Sequence, residues 1–105
     1  MRIIAVQTLR KYIRTYPKAE QSLFAWNQEV DSANWKTPNE LKEHYRTASI
    51  ISHKRIVFNI HGNHYRLIVD VEFKLKVVFI VWFGPHDEYD KIDAKTISYD
   101  RTHQK

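Results

Sequence analysis

Between Arg55 and Phe83 the chain carries three apolar runs, Arg55 to Ile60, Tyr65 to Phe73 and Val77 to Phe83, rich in Val, Ile, Phe and Tyr. β-Branched and aromatic side chains suit a pleated backbone. Only a few residues separate one run from the next, so the strands must turn back on themselves as an antiparallel meander. The chain has two glycines, and both lie here: Gly62 in Gly62-Asn63, a plausible hairpin turn, and Gly84 where the last run ends. Leu75-Lys76 marks the second turn.

Taking Gly62 and Asn63 as the turn residues fixes the register. His61 then opposes His64, Asn59 opposes Arg66, Val57 opposes Ile68, and Arg55 opposes Asp70, all on one face. Ile56, Phe58 and Ile60 face Val69, Leu67 and Tyr65 on the other, which is apolar enough to pack under helices. The first face is mixed and polar and carries cations.

The helices come from upstream. Arg2 to Val6 is a short β-like start. Leu9, Tyr12, Ile13 and Tyr16 recur at helical spacing up to the interruption at Pro17. Ala19 to Val30 reads as a second helix, with Leu23, Phe24, Trp26 and Val30 on its apolar side. Thr37-Pro38-Asn39-Glu40 is an N-cap, a proline in the first turn and a glutamate three residues on, which starts a short helix through Tyr45. His86 to Asp93 suits a final short helix, and Ser98 to Lys105 reads as a loose polar tail. The expectation is a single α+β domain over residues 1–105, with N-terminal helices on one face of a small antiparallel sheet and a short C-terminal helix.

Composition narrows the function classes. With no cysteine there is neither a disulfide nor a thiolate zinc site. The apolar start at Met1 is too short for a signal peptide, and no run reaches membrane-spanning length. A cytoplasmic protein without a membrane role is expected. The formal charge of +5, from 17 Lys and Arg against 12 Asp and Glu, favours a polyanionic partner.

Metal-free RNA cleavage turns a 2′-hydroxyl onto its own 3′-phosphate. It needs a base, an acid for the leaving 5′-oxygen, and cations for the charged phosphorane. An imidazole is a natural acid or base at neutral pH, and His86 carries one directly after Gly84-Pro85 at a strand end. Arg66 is always charged and forks onto phosphate. Lys54 and Arg55 extend a positive track, while Tyr89 and Lys91 stand about a turn beyond His86. The plainer readings are an Arg66 paired with Asp70 or Glu72, an Arg55 paired with Asp70 across the ladder, and a Tyr89 that is simply core. His61, His64 and His86 make a metal site only if His86 reaches the other two, and the pattern does not place it near them.

At these residues the chain resembles a known family. Val57-Phe58-Asn59-Ile60, Gly62-Asn63, Tyr65-Arg66-Leu67, His86-x-Glu88-Tyr89-Asp90-Lys91, Ala33-x-Trp35-Lys36-Thr37-Pro38 and Tyr45-Arg46-x-Ala48-Ser49 are similar to the HigB family of bacterial toxins. That family sits within the RelE-like group of ribosome-associated messenger-RNA endonucleases. The resemblance runs from Met1 to about Ile97. One departure is Gly84-Pro85-His86, where the family usually reads Gly-Thr-His; proline fixes the backbone and removes a hydroxyl and an N–H.

The resemblance implies a RelE-like fold and a toxin that enters the ribosomal decoding site and cuts messenger RNA, with no cofactor or metal. It also implies a HigA-like helix-turn-helix antitoxin. The expected catalytic set is Arg66 and His86, with Tyr89 and Lys91 in support; Lys54, Arg55, Asn59, His61 and His64 are expected to bind RNA. Two other readings are a non-catalytic RNA- or protein-binding module and a toxin of this fold with a protein target. Single-strand binders usually present aromatics on the sheet. The face of Asn59 and Arg66 offers Val57 and Ile68, which favours phosphate chemistry over stacking.

Overall fold

A computed structural model describes residues 1–4 and 6–98. In chain order the elements are β1 (Arg2–Ile4), α1 (Val6–Thr15), a 3-10 turn (Pro17–Ala19), α2 (Glu20–Ser32), α3 (Pro38–His44), β2 (Ser49–Ile50), β3 (Arg55–Ile60), β4 (Tyr65–Glu72), β5 (Val77–Pro85) and α4 (His86–Tyr89). The architecture is α+β, as the sequence suggests. Ala5 and residues 99–105, and with them most of the expected polar tail, lie outside the described residues. No described helix is long and apolar enough to cross a membrane.

Local chemistry sets the helix ends. Pro17 keeps Tyr16 out of helical geometry (φ −127°, ψ 74°), which stops α1. The Thr37 hydroxyl accepts the Glu40 amide at 3.2 Å and Pro38 occupies the first turn of α3. At the end of α2 the Met1 ammonium donates to the carbonyls of Val30 (2.9 Å), Asp31 (3.0 Å) and Ala33 (2.7 Å). A cation there satisfies orphan carbonyls and complements the helix dipole.

The sheet order is β1-β5-β4-β3-β2. The expected antiparallel register of β3 and β4 is found, including Asn59 opposite Arg66 and Arg55 opposite Asp70. Two features differ from the expectation. β1 pairs parallel to β5, Arg2 beside Val77 and Ile4 beside Phe79, so the sheet is mixed. This is possible because the chain leaves β1 through three helices and returns at the opposite edge, as β2. The turn after β3 also spans four residues, His61 to His64, and its left-handed positions are His61 (φ 55°) and Gly62 (φ 63°), not Asn63.

β5 carries a bulge. Ile68 pairs with Trp82 but Val69 pairs with Ile80, leaving Val81 as an extra residue. Val78, Ile80 and Phe83 therefore join the main core under the helices, with Leu9, Tyr12, Leu23, Trp26, Leu41, Phe58 and Leu67. Val81 and Trp82 turn to the other face. There Val57, Ile68, Val81 and Ala94 form a second cluster, joined by Ile51, Tyr89, Ile92 and Ile97. The face expected to be mixed and polar is thus partly covered by the chain after α4, because its central residues are apolar and need a lid.

Tyr45 ties α3 to the core. Its ring packs edge-on against Phe58 at 5.0 Å and its hydroxyl donates to Glu29 at 2.6 Å. Burial first, then the bond to Glu29 and its charge, push the phenol well above its ordinary value. A group raised in this way stabilises the fold fully below the unfolded value, near pH 10, and loses that contribution as pH rises further. Urea midpoints of the wild type should therefore fall more steeply above about pH 10 than those of Tyr45→Phe. At neutral pH that variant should be less stable by about 1 kcal/mol. Equal alkaline slopes would exclude the linkage.

Candidate active site

Three neighbouring strands bring Asn59, Arg66 and Gly84 side by side at one end of the sheet. Arg66 is half-buried, and its Nη1 donates to the carbonyls of Asn63 (2.9 Å) and Tyr65 (3.2 Å). Its Cζ lies 5.9 Å from the centre of the Tyr89 ring, which stands 6.3 Å from the Trp82 ring. A guanidinium against an aromatic face is held without losing its charge. Among the described residues no bond engages Nε or Nη2 of Arg66, and neither Asp70 nor Glu72 pairs with it. Asn59 donates to the Asn63 side chain at 3.2 Å, bracing the turn that Arg66 also holds.

A cleft of about 370 Å³ opens beside this group, lined by Lys18, His61, His64, Tyr65, Pro85, His86 and Asp87. The ladder explains it. Tyr65 pairs with Pro85, and one step on, the His86 amide donates to the His64 carbonyl at 3.0 Å. The missing N–H of Pro85 thus leaves the strand's exit intact. His61 and His64 stand 5.2 Å apart, ring to ring. The pattern of the sequence gives His86 no proximity to these two; the pairing of β4 and β5 brings all three to one cleft. No group of three or more His, Asp or Glu among the described residues is arranged to hold a metal ion. A second cleft, lined in part by Tyr12, Tyr16, Trp82 and Glu88, shares Pro85 and Asp87 with the first. Burial, followed by Glu88, Tyr65 and Asp87, raises the Tyr16 phenol.

Other expected residues fall elsewhere. Lys91 is exposed and pairs loosely with Glu88 at 3.7 Å. Arg55 opens β3, roughly 17 Å along the strand from Ile60, and Lys54 precedes it. The positive track expected to run through them does not reach the cleft. Arg55 forks onto Asp70 at 2.7 and 2.9 Å and donates to the carbonyls of Ala94 (3.0 Å) and Ile97 (2.5 Å). The residues expected beside Asn59 and Arg66 on this face, Val57 and Ile68, include no aromatic. The bulge adds Trp82, and the Tyr89 ring stands beside it at a tilt.

The sequence also carries a signal in how its charge is distributed. The first nineteen residues hold five Lys and Arg (Arg2, Arg10, Lys11, Arg14, Lys18) and no acid, so with chain totals of 17 and 12 the remainder is balanced, twelve against twelve. The whole net charge belongs to the N-terminal segment. Arg10, Arg14 and Lys18 are exposed, and Lys18 enters the cleft with the histidines. The distribution of charge, rather than its total, points to them.

Residues 19–92 match the family model described as HigB toxin, the RelE-like toxic component of a toxin–antitoxin system. The chain belongs to the HigB toxin family. It is similar to the mRNA interferase toxin HigB of Escherichia coli K12, 27% identical over 96 residues that cover 90% of this chain and 92% of the relative. An mRNA interferase HigB of Escherichia coli O6:H1 is 24% identical over 94 residues, covering 88% of this chain and 91% of that one. The family match contains the His61–His64 turn, Arg66 and α4, whereas α1 and Lys18 precede it.

Gly84 makes room for this arrangement. A Cβ there would stand 2.7 and 2.8 Å from ring carbons of Trp82, too close for a rigid indole to accommodate. Gly84→Ala should cost about 1–3 kcal/mol in a urea melt, the usual range for overpacking. In a Trp82→Leu background the same change should cost much less. An equal cost in both backgrounds would mean that the ring is not what Gly84 yields to.

Proposed function

We propose that this protein is an endoribonuclease toxin that cuts messenger RNA on the ribosome, with no metal ion in the step. Its activity would be held in check by a HigA-like helix-turn-helix antitoxin in the cytoplasm. The observation that carries the reading is Arg66. It is fixed by two carbonyls and an aromatic ring yet leaves Nε and Nη2 unbonded among the described residues, beside a cleft holding three histidines. Membership of the HigB family and relatives named mRNA interferases support the substrate.

In this reading the 2′-oxygen attacks the adjacent phosphorus as its proton passes to a base. The bond to the 5′-oxygen breaks as an acid supplies a proton there, leaving a 2′,3′-cyclic phosphate and a 5′-hydroxyl. Arg66 stabilises the negative charge that grows on the phosphorane oxygens. His86 moves one of the protons. Tyr89 orients Arg66, and Lys91 adds positive charge at the rim. His61, His64, Lys18 and Asn59 hold the strand, and Lys54 is an outlying phosphate contact. Trp82 and Tyr89 give a non-catalytic RNA-binding module its best support, since half-exposed aromatics stack on bases.

Cleavage of a translated messenger separates the two readings. Arg66→Ala should lose on the order of a hundredfold in rate, and His86→Ala a comparable amount, with circular dichroism unchanged. RNA affinity should fall steeply with salt in all three proteins. Wild-type protein that binds RNA with that salt dependence but never cuts it would be a binding module. If His86→Ala cuts at the wild-type rate, the proton transfer belongs to another residue, Tyr89 first.

A further inference from the structure

Helix α4 has four residues, far too few to hold a helical shape or a position on its own. Its front is fixed where the His86 amide meets the His64 carbonyl at 3.0 Å. Its back, at Tyr89, rests on the second cluster beside Trp82, and the chain that follows completes the attachment. That stretch makes tight turns, Ile92 amide to Tyr89 carbonyl at 3.2 Å and Ile97 amide to Asp93 carbonyl at 2.9 Å, and lays Ile92, Ala94 and Ile97 on Val57, Ile68 and Val81. Apolar contact alone lets such a segment slide. Directional bonds do not.

Those bonds come from Arg55. Nε and Nη2 grip both oxygens of Asp70, at 2.7 and 2.9 Å, and this planar fork aims Nη1 at the carbonyls of Ala94 and Ile97. The side chains of Arg55 and Asp70 are only 12% and 20% exposed. A planar guanidinium with five donors reaches a carboxylate and two carbonyls at once, which a lysine ammonium cannot reproduce.

We infer that Arg55 is a positioning residue of the cleavage site. Anchored by Asp70, it locks the segment after α4 to the sheet and so holds Tyr89 against Arg66. The inference rests on the proposed RNA cleavage for its functional consequence but not for its structural one. Arg55 acts through the segment it holds and not by touching RNA, although a cation on β3 suggests otherwise.

Two variants divide the possibilities. Arg55→Lys keeps the charge and loses the fork. Asp70→Asn keeps the shape, leaves the guanidinium without its carboxylate and makes the protein one charge more positive. A positioning role predicts that both lower kcat for messenger cleavage by about tenfold to a hundredfold, since small misplacements at a reacting centre are costly. It also predicts RNA affinity within about twofold of wild type and an unchanged salt slope. An RNA-contact role predicts instead that Asp70→Asn binds RNA more tightly and cuts it no more slowly. Hydrogen exchange gives the second readout. The amides of Ile92, Thr96 and Ile97 should lose protection in both variants, while those of the β3–β4 ladder keep theirs. Unchanged protection in that segment overturns the inference even if the wild type cuts no RNA, a result that would by itself defeat only the proposed function. Protection lost equally from ladder and segment also overturns it, because Arg55 would then hold the whole sheet.

Discussion

The extra residue at Val81 decides how the two faces of this sheet are used. Without it, β5 would continue in phase past Ile80, and Trp82 would point into the helical core while Phe83 faced outward. With it, Phe83 packs beneath Tyr12 and Tyr16, and Val81 and Trp82 pass to the opposite face. Everything downstream inherits that shift. Gly84 arrives beside Arg66, Pro85 beside Tyr65, and α4 leaves the sheet where its first residue meets the turn between β3 and β4.

The helical face and the face of the candidate site are stabilised differently. Under the helices lies a continuous set of large buried side chains, Trp26, Phe58, Leu23, Leu41 and Leu67 among them. The other face has a small apolar cluster and a directional polar tie, and its Arg66 end is left partly open. A minor cluster is enough to fix a segment and too small to bury a site. Arg66 and the cleft histidines belong to neither cluster, which is why their chemistry can be changed without removing either core.

Much of the fold was legible because it is local. The Gly62-Asn63 turn fixes the register of β3 and β4, and Thr37-Pro38-x-Glu40 fixes a helix start. What was hidden has physical reasons. Val77 to Phe83 is apolar at every position, so its alternation has no phase to read and a bulge leaves no mark. β1 is three residues long, and its partner lies at the other end of the sequence. The segment that lids the second face carries Ile92, Ala94 and Ile97 among polar neighbours and has no regular period. For the site, the pairing of Arg55 with Asp70 could be read across the ladder, but its reach to Ala94 and Ile97 could not. His86 joined His61 and His64 only through a strand pairing whose exact end the sequence leaves open.

The pairing of β1 with β5 also sets an order in time. Arg2 lies beside Val77, so β1 waits for β5, the latest of the five described strands to be synthesised, before it has a neighbour. The site-bearing face waits longer still, because its lid is made of residues beyond Tyr89. Contacts this distant in sequence close slowly, and until they close the early strand and helices have no finished sheet to rest on. A partly made chain therefore has neither its sheet nor its site, and the complete surface appears only when nearly all of the described chain is free to fold.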